Sequence, residues 1–549
     1  MSEGSGPTVT VADAVVAALR TAGVDVVFGM PGVHTLPLYD ALARQGAPRH
    51  VLVRHEQAAA FAADGYARTA NRAGVALTTT GPGAFNTMAA LGEAYADSSA
   101  VVLLAGQIRS TDIGLERGLL HEVRDQASAF ESVTKRVWRP RTPRDVVADV
   151  AAALADVTRG RHRPVYVELP VDLLDRDVED PPAARGESAP VEPDGEAVRH
   201  AGSLLHTARR PVIIAGAGVN RGAANCILLS LAERLDSPVL TSVNGLGAVA
   251  SSHPLAAGTL IRRNTGARRL LSDADVVIVA GCRLDANTTD DWSIPLHNLI
   301  HVDVDPFVLG LNYRPAVSVA GSVRLALERL VDAIPPRESG SDGSARAAVA
   351  RRDLVESLGV TTPPELRAMR EIRQFVPPET ILSMDACQMS GWASTFWPVE
   401  RPAGLLFPFG SATLGFALPA AIGAALADPR APVIAMAGDG GLLFCVAELA
   451  TVVEQKLGIV TVVFNNRALG SIRDEQVGRY GRTLGSEWQT PDFVLLARAF
   501  GMEARRIDAL EDLPRAVSRA IDLSRPMLLE VSAAHRSPWS YLPSGAPVQ

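Results

Sequence analysis

Asp439 lies directly after an apolar run, between glycines, and this placement raises the question of what faces its carboxylate. The run PVIAMAG (432–438) is short enough to be a buried strand. A carboxylate just beyond a buried strand is costly unless a positive partner meets it. A second strand-like run, GIVTVVFNN (458–466), ends in Asn466. The acid and the amide are therefore candidates for one ligand-binding site.

Between the two runs, apolar residues recur with helical spacing over 442–458, which predicts a helix that begins near Leu442. The resulting strand–helix–strand unit makes the two strands parallel. Open α/β sheets bind ligands at the carboxyl edge of their strands. Carboxylate and amide oxygens suit Mg²⁺, which shares its ligands with phosphates, and Gly438, Gly440 and Gly441 allow close backbone approach. We expect Mg²⁺ bridged to a diphosphate. The alternative is a simple turn followed by a strand cap.

The rest of the chain predicts what must position this site. Strand-like runs alternate with alanine-rich helical stretches throughout, which indicates an α/β protein with parallel sheets. At 549 residues the chain is too long for a single core. The segments 179–195 and 335–347 are rich in Pro, Gly, Ser and charge, as linkers are. We predict three doubly wound parallel-sheet domains, over 1–180, 190–335 and 360–549.

Composition argues against several classes of protein. Apolar residues make up 47% of the chain and charged residues 21%, with a net charge of −7 and both signs interspersed, so a nucleic-acid partner is not expected. No apolar run approaches the ~20 residues of a membrane span, and the N-terminus lacks the pattern of a secretion signal. We expect a cytoplasmic protein without a membrane partner.

The cysteines are predicted to be unpaired small apolar residues: Cys226, Cys282, Cys387 and Cys445.

A second acid follows a strand in the first domain. The stretch 49–68, RHVLVRHEQAAAFAADGYAR, predicts a strand to about Arg54, then Glu56, then an alanine-rich helix. A glutamate at a helix start is also favoured by the helix dipole, so position alone does not assign a function. The HExxH zinc motif fails because position 59 is alanine.

Together these motifs resemble those of the thiamine-diphosphate enzymes. Gly-Asp-Gly and Asn-Asn, separated by residues 441–464, resemble the cofactor signature of that family. Glu56 with DGYAR, and TTGPGAFN (79–86), resemble the pyrimidine-binding domain of the acetolactate synthase and benzoylformate decarboxylase group. The resemblance implies pyrimidine-binding, central and diphosphate-binding domains in that order. It also implies thiamine diphosphate and Mg²⁺ as cofactors, with Glu56 hydrogen-bonded to the aminopyrimidine.

The same resemblance implies further cofactor contacts and an assembly. In relatives the cofactor lies between the pyrimidine domain of one subunit and the diphosphate domain of another, which implies an obligate homodimer, commonly a homotetramer. Leu414 takes the place of the bulky residue that bends the cofactor, and Cys387 and Gln388 fall in a loop that touches the diphosphate. The implied metal ligands are Asp439, Asn466 and the backbone carbonyl of Ala468.

Catalytic residues, besides Glu56, and substrate contacts are expected in three segments of the first domain. His121 and Glu122, in GLLHEVRDQ (118–126), resemble the decarboxylases of 5-guanidino-2-oxopentanoate. A histidine exchanges protons near neutral pH, and Glu122 could shuttle protons or pair with a cationic substrate tail. A surface charge cluster is the alternative. Three further substrate contacts are predicted: Val33, His34 and Gln107. His34 could equally be a surface histidine.

The resemblance implies decarboxylation of a 2-oxo acid to an aldehyde. The thiazolium ylide attacks the ketone, CO₂ leaves, and the ring holds the electrons as an enamine. Carboligation to an acyloin or acetohydroxy acid is the alternative. Ile472 stands where pyruvate decarboxylases carry a glutamate, so the late protonation lacks an obvious donor in that segment and carboligation stays open.

A different class of function is suggested by the central segment PVIIAGAGVNRG (211–222), which resembles a dinucleotide fingerprint. The third glycine of its series Gly216, Gly218 and Gly222 comes one residue late, so the match fails in detail. An FAD or NAD oxidoreductase is therefore a remote alternative. Bound FAD in the central domain is not favoured but stays open.

Overall fold

The computed structural model describes residues 9–179, 189–335, 342–359, 362–532 and 535–542. Three six-stranded sheets are formed, each with parallel strand pairing and flanking helices. This confirms the predicted α/β class with three doubly wound sheets. Much of each predicted linker lies outside the described ranges.

The first domain carries a sheet of order β3-β2-β4-β5-β7-β6 and a short antiparallel ribbon, β1-β8. Strand order reverses between the second and fourth strands, so the loops after these strands gather at one carboxyl edge. The elements are β1 (Val9–Thr10), α1 (Val11–Thr21), β2 (Val26–Gly29), α2 (Leu36–Gln45), β3 (Arg49–Leu52), α3 (Glu56–Ala70), β4 (Gly74–Thr78), α4 (Pro82–Phe85), α5 (Met88–Ala96), β5 (Val101–Gln107), α6 (Gln126–Phe130), β6 (Arg136–Trp138), α7 (Pro143–Asp156), β7 (Val165–Pro170), α8 (Val171–Leu174) and β8 (Asp177–Val178).

The central domain has the strand order β11-β10-β9-β12-β13-β14, with the reversal between the ninth and twelfth strands. Its strands are short and almost entirely apolar, as expected for strands covered by helices on both faces. The elements are α9 (Gly195–Thr207), β9 (Val212–Ala215), α10 (Ala217–Arg221), α11 (Asn225–Leu235), β10 (Val239–Thr241), β11 (Ala256–Thr259), α12 (Thr265–Ser272), β12 (Val277–Ala280), α13 (Ala286–Thr289), β13 (Ile300–Asp303), β14 (Val317–Ala320) and α14 (Val323–Ala333).

The third domain has the order β16-β15-β17-β18-β20-β19, with the reversal between the fifteenth and seventeenth strands. Before it, α15 (Gly343–Glu356) packs on α12 and β11 of the central domain. The elements of the third domain are α16 (Pro364–Phe375), β15 (Ile381–Met384), α17 (Ser390–Phe396), β16 (Leu405–Leu406), α18 (Ala417–Ala427), β17 (Val433–Gly438), α19 (Asp439–Cys445), α20 (Glu448–Glu454), β18 (Ile459–Phe464), α21 (Gly470–Tyr480), α22 (Phe493–Ala499), β19 (Glu503–Ile507), α23 (Leu513–Asp522) and β20 (Met527–Val531).

Two expectations about these elements are wrong. The helix after β17 begins at Asp439 rather than near Leu442, and it is interrupted between α19 and α20. Its first turn contains glycines because space is short there: a Cβ on Gly441 would lie 2.8 Å from the Asp385 carboxyl carbon. The end of the second predicted linker is helical, since α15 begins at Gly343 and packs on α12.

The first and third domains are joined by the close packing of α3 on α18. A Cβ on Gly65 would lie 2.1 Å from the Ala420 carbonyl oxygen, and one on Gly423 would lie 1.9 Å from the Ala62 carbonyl oxygen. The alanine and glycine content of both helices therefore permits an approach that larger side chains would block. One hydrophobic cluster includes buried residues from both domains.

A helix that crosses a bilayer is ~20 residues long and predominantly apolar. Within the described ranges, no helix combines that length with that apolar content.

Candidate cofactor and substrate site

The carboxyl edge of the third sheet holds Asp439 in a buried position. Its Oδ1 accepts a hydrogen bond from the Gly440 N–H at 2.8 Å, whereas Oδ2 is buried without a partner among the described residues. Burial raises the pKa of this carboxyl, and the backbone N–H groups of Gly440, Arg467 and Ala468 act in the opposite direction. An unpartnered carboxylate oxygen in a buried site fits a bound cation.

Asn466 lies beside this acid with its side-chain amide held from two sides. Its Oδ1 accepts from the Ala468 N–H at 3.1 Å, and its Nδ2 donates to Gln388 Oε1 at 2.9 Å. Gln388 in turn donates its Nε2 to Asp474 Oδ2 at 2.6 Å. The structure therefore brings together Asp439, Asn466 and Ala468, whose oxygen-rich set suits Mg²⁺.

The backbone that follows Leu414 is held by a carboxylate, Asp385, that the sequence analysis does not identify. Asp385 is fully buried after β15 and accepts backbone hydrogen bonds from Gly415 at 3.0 Å and Ala417 at 3.3 Å. Burial raises the pKa of Asp385 to about 6. The sequence does contain a pattern that could have identified it, because Asp385 directly follows the strand-like run ILSM (381–384), as Asp439 follows the run 432–438.

Cys387 follows in the same loop and packs against the glycine that precedes Asp439. Its Cβ lies 3.3 Å from the position that a Cβ on Gly438 would occupy. Burial raises the pKa of the Cys387 thiol to about 12, so the side chain stays protonated at neutral pH. It contributes packing and backbone groups to this edge, not a thiolate.

The carboxyl edge of the first sheet presents Glu56 at the first position of α3. Asn86 donates its Nδ2 to Glu56 Oε2 at 2.9 Å. The other carboxylate oxygen lies 3.4 Å from the position that a Cβ on Gly83 would occupy. The predicted strand and helix around Glu56 are present, with the strand ending at Leu52 rather than about Arg54.

Two histidines share this edge. The rings of His34 and His121 are 5.6 Å apart between centroids, and burial together with His121 lowers the pKa of His34. The Nδ1 atoms of both histidines and the Oγ1 atoms of Thr79 and Thr80 are buried without a hydrogen-bond partner in the described part of the chain. Such a cluster of unsatisfied donors and acceptors is suited to a small polar ligand.

Three profiles of one enzyme family match these regions. They are the N-terminal thiamine pyrophosphate binding domain over 9–129, the central domain over 198–330 and the C-terminal binding domain over 385–531. The chain belongs to the thiamine pyrophosphate enzymes. Thiamine pyrophosphate is thiamine diphosphate, so the predicted family and organic cofactor are confirmed. Glu56 lies in the N-terminal match and Asp439 in the C-terminal match.

Curated relatives of this thiamine pyrophosphate enzyme extend along almost the whole chain. A probable 2-ketoarginine decarboxylase of Pseudomonas aeruginosa is 37% identical, covering 96% of this chain and 94% of the relative. A probable acetolactate synthase large subunit of Methanocaldococcus jannaschii is 34% identical, covering 95% and 91%. The acetolactate synthase isozyme 1 large subunit of Escherichia coli is 30% identical, covering 98% and 96%.

The other predicted substrate residues of this thiamine pyrophosphate enzyme are placed differently from His34. Gln107 is buried, donating to Glu168 Oε1 at 2.9 Å and accepting from the Ile108 N–H at 2.8 Å. Glu122 accepts from the backbone N–H groups of Arg117 at 3.2 Å and Leu119 at 2.8 Å, and the Leu119 bond is the main cause of its lowered pKa. The roles of both side chains stay predictions.

A cavity of about 660 Å³ lies between the central and first domains of this thiamine pyrophosphate enzyme, at the topological switch point of the central sheet. Gly216 and Gly218 line it and pack closely against Gly281. A Cβ on Gly216 would lie 2.0 Å from the Gly281 carbonyl oxygen, and one on Gly218 would lie 2.7 Å from the Gly281 Cα. The predicted Gly222 also lines the cavity. Occupation by FAD stays a prediction.

Proposed function

We propose that this enzyme uses thiamine diphosphate and Mg²⁺ to decarboxylate a 2-oxo acid and release an aldehyde. The observation that carries the proposal is a group of four buried polar atoms on His34, His121, Thr79 and Thr80 that lack a hydrogen-bond partner in the described ranges and share the sheet edge of Glu56. A 2-oxo acid has a carboxylate and a ketone that such a group can bind. A decarboxylase among the relatives supports the reaction class.

The third-domain edge would anchor the cofactor. Asp439, Asn466 and the Ala468 carbonyl would hold Mg²⁺ and, through it, the diphosphate, with Gln388 beside them. Two observations support this: the Ala468 N–H holds the Asn466 Oδ1, and the buried Asp439 Oδ2 has no partner among the described residues. When bound, thiamine diphosphate supplies the carbon nucleophile and the electron sink that decarboxylation requires.

The first-domain edge would handle protons and substrate. Glu56 would keep a hydrogen bond to the aminopyrimidine while Asn86 fixes its other oxygen. Burial holds the pKa of His34 below its ordinary value, so this imidazole is neutral at pH 7 and can donate from one ring nitrogen and accept at the other. The two histidines would orient the substrate and return a proton to the product.

A panel of 2-oxo acids tests this proposal. Purified enzyme with thiamine diphosphate and Mg²⁺ is incubated with pyruvate, benzoylformate or 5-guanidino-2-oxopentanoate, and CO₂, aldehyde and acyloin are measured together. We expect CO₂ and aldehyde in equal amounts from at least one acid. Because a relative is a probable 2-ketoarginine decarboxylase, the guanidino acid is the preferred candidate. Absence of CO₂ release from every acid in the panel would reject the proposal.

Carboligation is the second candidate, and Ile472 favours it. This exposed side chain on α21 has no group that could donate a proton to a decarboxylated intermediate. Acetolactate synthases are also among the relatives. Acyloin or acetohydroxy acid in excess over aldehyde, in the same panel, would establish carboligation as the main outcome.

We further propose that the working enzyme is a homodimer or a tetramer of such dimers. Large apolar side chains are exposed on loops and helices that follow the strands at both predicted cofactor-binding edges, which is unfavourable in an isolated subunit. Pairing the first-domain edge of one subunit with the third-domain edge of another would cover both groups. The exposed side chains are Val33, Leu36, Leu115 and Leu120 in the first domain and Phe444, Ile472 and Tyr480 in the third.

A further inference from the structure

A fully buried glutamate of the third domain reaches into the first domain. Glu448 begins α20, and its Oε1 accepts hydrogen bonds from the backbone N–H groups of Arg54 at 2.8 Å and His55 at 3.1 Å. Its Oε2 accepts from Thr451 Oγ1 at 2.6 Å. The residue that follows this anchored dipeptide is Glu56.

A fully buried glutamate of the first domain makes the reverse connection. Glu93, on α5, accepts through Oε1 from the backbone N–H groups of Gly410 at 3.0 Å and Ser411 at 3.2 Å. Its Oε2 accepts from the Thr413 N–H at 3.0 Å. The residue that follows this anchored segment is Leu414.

Neighbouring contacts anchor the same two segments. In the first domain Arg68 donates to the Phe407 carbonyl at 3.0 Å and Asp97 accepts from the Phe409 N–H at 3.1 Å. In the third domain Thr451 donates to the Leu52 carbonyl at 3.3 Å. Each outer domain thus holds the backbone that leads into a predicted cofactor contact of the other.

A buried carboxylate needs such donors. An ionised carboxylate that leaves water is stabilised by charge-assisted hydrogen bonds, and these are stronger and more directional than bonds between neutral groups. Replacing the carboxylate by an amide keeps the shape but removes the charge and half of the acceptor capacity. The anchored N–H groups would then have a weaker acceptor, and the segment before each cofactor contact would be held less firmly.

We propose that Glu448 and Glu93 are positioning residues that act across the domain boundary, with Glu448 placing Glu56 and Glu93 placing Leu414. This inference rests on the proposed function, in which Glu56 and Leu414 contact the cofactor. Each substitution should therefore affect the function of the other domain, and we call this a crossover. Replacing Glu448 of the third domain should impair activation of the cofactor by Glu56, and replacing Glu93 of the first domain should weaken binding of the cofactor at Leu414.

Two measurements on the full-length protein separate these effects. Calorimetric titration with thiamine diphosphate and Mg²⁺ gives cofactor affinity, and exchange of the cofactor C2 proton with deuterium, followed by NMR after acid quench, gives activation without substrate. We expect Glu448→Gln to slow exchange about tenfold while affinity stays within about threefold of wild type. Glu93→Gln should weaken affinity about tenfold.

A matched control lies on the same helix. Glu454 has a partly exposed carboxylate that pairs with the Arg54 side chain instead of a backbone N–H, so Glu454→Gln should match wild type in both measurements. Glu448→Leu, which removes the acceptor entirely, should slow exchange further than Glu448→Gln. If circular dichroism shows that the leucine variant does not fold, the Glu448→Gln result alone tests the positioning role of Glu448.

Three results would overturn the inference: wild-type behaviour of both glutamine variants, an equal loss of affinity and exchange in both, or a crossover in the opposite sense. Equal losses together with a lowered melting temperature would show a purely structural role. A wild-type protein that binds the cofactor and exchanges its C2 proton, yet releases no CO₂ from any 2-oxo acid, would instead reject the proposed reaction while leaving the crossover testable.

Discussion

Asp439 and Asn466 follow neighbouring parallel strands that are in register, since Gly438 at the end of β17 pairs with Phe464 at the end of β18. The crossover through α19 and α20 returns the chain to the same edge, so the acid and the amide lie side by side although a helical segment separates them in sequence. Strand pairing thus brings the two residues of the proposed metal site together, and the Ala468 N–H and Gln388 orient the Asn466 amide.

Removal of the Asp439 carboxylate should abolish Mg²⁺-dependent binding of thiamine diphosphate. The Asp439→Ala variant loses both the charged ligand and the unpartnered Oδ2, whereas the rest of the edge keeps its backbone bonds. Calorimetric titration should show no saturable heat, as it should for wild type in EDTA. Asp522→Ala, at the exposed end of α23, serves as the control. Unchanged affinity in Asp439→Ala would contradict the metal assignment.

Replacement of Glu56 by glutamine should leave the fold intact and lower turnover by about 10²–10⁴-fold. The substitution keeps the size of the side chain and its position at the start of α3, but it removes the carboxylate that we propose binds the aminopyrimidine. Steady-state kinetics with the best 2-oxo acid gives the loss, and circular dichroism checks the fold. Near-normal turnover would refute the assignment of Glu56.

Mixing two inactive variants tests the shared active site. If Glu56 serves the cofactor held by the other subunit, a heterodimer of Glu56→Gln and Asp439→Ala contains one site with both residues intact. Random pairing should then restore about a quarter of wild-type activity after co-expression. Each variant alone supplies the baseline. Failure to gain activity, with heterodimers verified by two affinity tags, would place both residues in the same subunit's site.

Glu122→Gln tests whether this carboxylate recognises the substrate tail. Both of its oxygens already accept backbone N–H groups in the 117–122 loop, so we expect the substitution to raise KM for pyruvate and for 5-guanidino-2-oxopentanoate by similar factors. A larger rise for the guanidino acid would instead support direct pairing with a cationic tail. Arg124→Gln, on the exposed side of the same loop, is the matched control.

Acid should destabilise the protein partly through His162. Burial, followed by the charges of Arg221 and Lys135, lowers the pKa of His162 from 6.5 to about 3. Below pH 6.5 His162 therefore binds a proton in the unfolded chain but not in the folded chain. The contribution of the neutral buried His162 to the free energy of unfolding is lost as pH falls from 6.5 toward 3. At pH 5 the loss is about 2 kcal/mol.

Thermal melts of wild type and His162→Gln at pH 7.5 and pH 5 measure this effect. The variant should show a smaller drop in melting temperature between the two pH values, because glutamine does not titrate. His200→Gln, on the exposed face of α9, should retain the wild-type drop. An equal drop in wild type and His162→Gln would show that His162 does not carry the acid sensitivity.

Local patterns predicted the parts of the site that depend on neighbouring residues. Asp439 and Glu56 each lie at a strand–helix transition, and period and composition suffice to recognise such transitions. Glu448 was not recognised because its main partner, Arg54, is 394 residues away in the chain, and nothing near either residue indicates the contact. The interruption between α19 and α20 was missed for a related reason, since the apolar period continues through it while tertiary contacts set the boundaries.

The glycines of the site show a further limit of sequence reasoning. Gly441 was expected to allow a ligand close to the backbone, but in the structure its missing side chain makes room for the Asp385 carboxylate. Both uses of glycine look the same in a sequence. Distinguishing them requires knowing which neighbour faces the residue.

The shared packing of α3 and α18 has a consequence for how the molecule comes apart. A single apolar cluster contains buried side chains from the first and third domains, while most of the buried core of the central domain, with α15, lies in two other clusters. The outer domains should therefore melt as one cooperative unit despite the long stretch of chain between them, and the central domain is the part able to unfold separately. Either outer domain produced alone would expose its half of the interface and tend to aggregate.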